Sequence, residues 1–77
     1  MRKIFVRVKS KSNQFLEIDD LKQLWIDTLP SGILALMYKD SKQITNPICY
    51  SIDRKYLCTV KETIEKAYAT GDHSVDL

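Results

Sequence analysis

The sequence predicts a small α+β domain of order β-β-α-β-β-α, a two-layer sandwich with one mostly antiparallel sheet and two helices on one face. Three observations carry this expectation: period-two alternation near the N-terminus, two segments of helical spacing behind N-cap signals, and two further apolar runs bounded by turn residues. A chain of 77 residues has material for a single domain over 1–77, because a second core could not be closed with what remains. The core is expected over about 2–70, with 71–77 a flexible tail.

Ile4, Val6 and Val8 alternate with Lys3, Phe5, Arg7 and Lys9, so residues 2–9 read as a strand with one buried face. The polar stretch Lys9-Ser10-Lys11-Ser12-Asn13 is turn-forming, and Gln14–Ile18 returns as the second strand of a hairpin. Asp19 or Asp20 offers an N-cap, Gln23 stands at capping-box distance from Asp20, and Leu21, Leu24, Trp25, Thr28 and Leu29 share one helical face. A helix is therefore predicted over 20–29, stopped by Pro30 and Gly32, with Leu24 and Trp25 toward the sheet.

Residues 33–38 lack alternation, and Leu, Ala and Met favour helix. The break at Pro30-Ser31-Gly32 and the turn cluster Asp40–Gln43 decide for a buried central strand. Residues 44–52 alternate at Ile48, Tyr50 and Ile52, with Pro47 marking a sheet edge or bulge and Cys49 on the opposite face. Thr59 and Glu62 have capping-box spacing, and Val60, Ile64, Ala67 and Tyr68 follow at helical intervals, predicting a second helix over 60–70 that closes at Gly71.

Composition removes several function classes. Two glycines leave little for a phosphate-cradling loop, and no G-x-G-x-x-G or G-K-[ST] occurs. The longest apolar run, Ile33–Tyr38, is far short of the roughly 20 residues that span a bilayer. Arg7 and Lys9 interrupt the apolar N-terminal segment and no small-residue cleavage site follows, so a soluble cytoplasmic protein is expected. Cys49 and Cys58, with His73 alone beside them, fall short of a zinc ligand set, and no secretory signal supports a disulfide. They read as two small, partly buried residues; Cys58, just before the predicted second helix and near Arg54, Lys55 and Lys61, is the one whose thiolate such a site would favour. Asp19 and Asp20 have a capping role, and Glu62 and Glu65 lie on a solvated helix face, so no paired carboxylates remain for acid–base work. No enzyme, cofactor or metal is expected.

Two binding functions stay in view. Residues 1–16 carry Arg2, Lys3, Arg7, Lys9 and Lys11 without an acid, whereas residues 17–77 carry seven Lys or Arg against ten Asp or Glu. Lys3, Phe5, Arg7 and Lys9, extended by Lys11, would set cations around an exposed aromatic, the chemistry of single-strand nucleic-acid binding. The favoured reading is a non-enzymatic protein-binding module, an inhibitor or adaptor that occupies the functional surface of a larger protein or complex. Small phage-type anti-defence proteins and antitoxins share this profile. The residues expected to touch the partner are Phe5, Arg7, Lys9, Lys11, Tyr50, Arg54, Lys55 and Tyr56, with Tyr38 a further aromatic anchor. A homodimer is compatible with so small a core, and no membrane partner is expected.

Overall fold

The computed structural model describes residues 2–8 and 13–77. Six strands and one helix follow in the order β1 (Lys3–Arg7), β2 (Leu16–Asp19), β3 (Gln23–Thr28), β4 (Leu34–Lys39), β5 (Thr45–Ser51), α1 (Arg54–Ala69) and β6 (Ser74–Asp76). They form two three-stranded sheets, β2-β1-β6 and β3-β4-β5. The expected β-β-α-β-β-α sandwich with one sheet and two helices is overturned: the order is β-β-β-β-β-α-β, with one helix and two sheets.

The first sheet is built on the alternation of β1. Ile4 and Val6 point inward opposite Ile18 and Leu16 of antiparallel β2, and Val6 also meets Val75 of parallel β6. In the second sheet Leu34, Leu36 and Tyr38 of β4 face inward, with Leu24 and Ile26 of β3 packed on the same core. The apolar stripe of α1, Leu57, Val60, Ile64 and Ala67, closes against both groups, so one cluster holds the inner faces of two sheets and the helix.

Residues 20–29 depart furthest from expectation. Their helical spacing competes with a second pattern, Leu24 and Ile26 inward against Trp25 and Asp27 outward, and pairing with β4 decides for it. The register runs from Gln23 opposite Lys39 to Thr28 opposite Leu34. The connecting turn is closed by Leu29 N–H donating to Ile33 O at 2.8 Å and Gly32 N–H to Leu29 O at 2.9 Å; Gly32 takes φ +90°, which a side chain would oppose. Asp20 caps no helix. It takes φ +53° in the bend before β3, a conformation Asp tolerates better than most residues.

The helix begins six residues before the predicted 60, at Arg54. Asp53 is the N-cap, its carboxylate accepting from Lys55 N–H at 3.0 Å and Tyr56 N–H at 3.3 Å. The apparent capping box lies inside the helix, where the Thr59 hydroxyl donates to Lys55 O at 3.1 Å. Gly71, at φ +87°, ends the helix with its N–H on Tyr68 O.

Residues 71–77, expected to fray, return to the first sheet. Phe5 N–H donates to His73 O at 2.9 Å and Leu77 N–H to Arg7 O at 2.7 Å, bracketing the parallel pairing of β6 with β1. Val75 is buried in the core. The variant Val75→Ala should therefore cost about 1–2.5 kcal/mol of stability in urea unfolding. A loss below about 0.5 kcal/mol, as at an ordinary surface position, would remove the tail from the fold.

Candidate interaction surface

The helix and the inner residues of the first sheet join the inner face of β3-β4-β5 in one core, while on its outer face Ala35 is buried, Trp25 and Met37 are half-buried and Pro47 and Tyr50 are exposed. Register arranges that face in three rows across the strands: Gln23, Lys39 and Thr45; Trp25, Met37 and Pro47; Asp27, Ala35 and Tyr50. An antiparallel sheet with one covered face ordinarily alternates apolar and polar residues. Here β4 is apolar on both faces, Leu34, Leu36 and Tyr38 inward and Ala35 and Met37 outward, although only the inward group lies in the core cluster. At one end Ile33, Tyr50 and Ile52 surround a shallow depression and are 37, 46 and 86 % exposed. A β-branched aliphatic side chain as open as Ile52 has no role in holding this chain together.

A bulge in β5 produces this geometry. The register shifts between Leu36 opposite Cys49 and Met37 opposite Pro47, leaving Ile48 as the extra residue. Ile48 and Cys49 both pack on the core while Tyr50 turns outward, which corrects the expectation that Ile48, Tyr50 and Ile52 share a face opposite Cys49.

The residues expected at the interface are not brought together. Tyr50 lies on this outer face, whereas Phe5 and Arg7 lie on the outer face of the other sheet. Arg54 and Lys55 are exposed in the first turn of α1, within the stretch between the strand expected over 44–52 and the helix expected over 60–70. Tyr56 is half-buried against the core, and Tyr38 is buried in it, its phenol pushed up by burial. Lys9 and Lys11 lie outside the described residues. Trp25, Ile33, Met37, Pro47 and Ile52 were not among the expected contacts; the missing alternation over 33–38 was the signal for Ile33 and Met37, taken as burial on both faces, and the other three had none of their own.

The basic first strand meets acids contributed by its neighbours. Arg7 holds Asp76 through two bonds, Nε to Oδ1 at 3.0 Å and Nη2 to Oδ2 at 2.6 Å, and its guanidinium lies 4.6 Å from the Phe15 ring centroid. Lys3 Nζ lies 3.2 Å from Glu17 and 3.8 Å from Asp19. The hydrogen bond to Glu17 raises the Lys3 pKa, and that to Asp76 raises Arg7. Phe5, 37 % exposed, thus stands between neutralised cations rather than in a positive groove.

Neither cysteine forms a disulfide. Cys49 is buried and Cys58 is half-buried one turn inside α1, so the helix N-terminus expected beside Cys58 is not there. Among the described residues no cluster of His, Cys, Asp or Glu could hold a metal ion, and no helix is long and apolar enough to cross a membrane.

Asp20 joins the other side of the second sheet to α1. It pairs with Lys22 at 3.0 Å and accepts from the Tyr68 hydroxyl at 3.3 Å, while Arg2 stacks on the Tyr68 ring at 4.0 Å. The hydrogen bond from Lys22, with a smaller one from Tyr68, holds the Asp20 carboxyl below its usual range against the opposing effect of burial. A depressed carboxylate contributes stability that is complete above its unfolded pKa, about 4, and is lost as pH falls through the lower folded value. Asp20→Asn, which keeps the shape and tolerates positive φ, should be less stable than the parent near pH 7, with the difference closing in acid, below the lowered folded value. Urea unfolding near pH 7 and in acid checks this; a difference that persists in acid would assign the effect to geometry instead of charge. No protein-family model, curated protein or solved structure matches the chain.

Proposed function

We propose that the chain is a non-enzymatic protein-binding module, an inhibitor or adaptor that acts by occupying the functional surface of a larger partner, and that it docks through the outer face of β3-β4-β5. The observation that supports this is a central strand apolar on both faces whose outward residues, the buried Ala35 and the half-buried Met37, lie outside the core cluster. Interfaces are anchored by aromatic and aliphatic side chains that fill pockets on the partner. Ile33, Tyr50 and Ile52 at one end of the face supply such a group beside the half-buried Trp25 and Met37. Against a nucleic-acid ligand stands the pairing of Lys3 and Arg7 with Glu17 and Asp76. Phosphate contact would require those pairs to open.

The test compares partner binding by the parent chain with that of Tyr50→Ala, Ile52→Asp and, on the opposite sheet, Phe5→Ala. Tyr50→Ala should weaken binding by about 1–4 kcal/mol, Ile52→Asp should abolish it, and Phe5→Ala should leave it intact. Thermal midpoints should stay close to the parent's for Tyr50→Ala and Ile52→Asp, because both side chains are exposed. Binding indifferent to Ile52→Asp would sink the proposal. So would salt-dependent oligonucleotide binding lost on Arg7→Ala, in favour of the nucleic-acid function.

A further inference from the structure

The rows on the outer face have a self-complementary order. Trp25, Met37 and Pro47 form the apolar middle row, Lys39 with the amide of Gln23 lies in the row on one side, and Asp27 lies in the row on the other. Among the described residues neither Asp27 nor Lys39 makes an ion pair; the Asp27 carboxylate accepts from the N–H of its own neighbour Thr28 at 3.0 Å.

A two-fold axis along the middle row, perpendicular to the strands, lays each strand over its own copy with direction reversed. Trp25, Met37 and Pro47 then meet themselves, Gln23 faces Asp27 of the other copy, and Lys39 lies over the small residue Ala35. Asp27 is beside Ala35 on the adjoining strand, about 4.8 Å away in the hydrogen-bonding direction and within reach of the lysine stem. Each contact occurs twice, so the apolar row is flanked by two Lys39–Asp27 pairs.

We infer that a second copy of this chain occupies the face, forming a two-fold dimer that packs β3-β4-β5 against β3-β4-β5 with Lys39 of each copy paired to Asp27 of the other. This rests on the reading of the face as a protein-docking surface and names the first protein to use it. Ile33 and Ile52 lie beyond the three matched rows, so the dimer presents that end twice to a larger partner. Three strands about 4.8 Å apart and roughly 20 Å long give a smaller contact than the roughly 800 Å² per partner of a standard interface. The dimer is accordingly weak and concentration-dependent.

Sedimentation equilibrium of the purified chain, from about 10 μM to 1 mM, reads the association directly. The parent should convert from monomer to dimer across this range. Asp27→Lys and Lys39→Asp should each lower the association constant by about tenfold or more, because two like-charged contacts replace two opposite ones. The double variant D27K/K39D should return to within about threefold of the parent. Asp27→Asn and Lys39→Gln should weaken the dimer in the same direction by a smaller factor, and urea midpoints check that each variant is folded. A monomer throughout the range, single reversals without effect, or a double variant as weak as the singles would overturn the dimer. The same protein with Ile52→Asp should dimerise normally, so a failed dimer and a failed partner site give different results.

Discussion

The placement of β4 is the constraint on which the rest of this chain depends. Leu34–Lys39 is hydrogen-bonded along both edges, to β3 on one side and β5 on the other, and its inward residues Leu34, Leu36 and Tyr38 lie in the common core. A slip of one residue would send Ala35 and Met37 into that core and bring Leu36 and Tyr38 out. The register is therefore held by volume as well as by hydrogen bonds. It in turn obliges Gln23–Thr28 to extend, and it fixes the face that the stripe Leu57, Val60, Ile64 and Ala67 of α1 can cover.

The parts of the fold legible in the sequence are those whose signal is local. The alternation of Ile4, Val6 and Val8, the break at Pro30–Gly32 and the turn at Asp40–Gln43 each describe structure made within a few residues. Residues 20–29 were misread because Leu21, Leu24, Trp25 and Leu29 satisfy a helical period while Leu24 and Ile26 satisfy a strand period, and the arbiter is a partner strand. At the start of α1 two caps competed, and the more familiar spacing at Thr59–Glu62 obscured Asp53, whose carboxylate does the capping. Ser74-Val75-Asp76 carries one apolar residue, too little for any pattern; its strand exists because β1 offers it an edge some seventy positions away in the chain.

Charge shows the same limit. The N-terminal sixteen residues contain cations without acids, which along the sequence looks like a field for phosphate. Folding brings Glu17 and Asp19 from β2 and Asp76 from β6 to the same face, so Lys3 and Arg7 are met from both neighbouring strands. The Arg7–Asp76 fork also serves the fold, since it ties β6 to β1 at the end of a three-residue strand with little apolar surface of its own. The candidate surface was legible in only one residue, Tyr50, because the placement of the others on one face depends on strand pairing and on the bulge at Ile48, which a sequence does not record.

An apolar outer face on so small a domain carries a cost that the chain's edges help to contain. Open sheets invite strand-by-strand extension at their edges, and a face that sticks to some other surface of its neighbour builds filaments. At the β5 edge Pro47 removes a backbone donor and the bulge at Ile48 bends the strand, both unfavourable to a further strand. At the other edge Lys22 and Gln23 keep the start of β3 polar. The order of charges across the face does the complementary work: with Lys39 and Asp27 on opposite sides of the apolar row, a copy laid on with its strands parallel would set lysine near lysine, whereas one laid on reversed pairs each with its opposite. In the proposed dimer such a contact covers the matched rows on both copies and leaves nothing to propagate, and a contact this weak gives way to a larger partner that takes the whole face. The same asymmetry that would orient a second copy would limit the assembly to two, with Ile33 and Ile52 outside the matched rows.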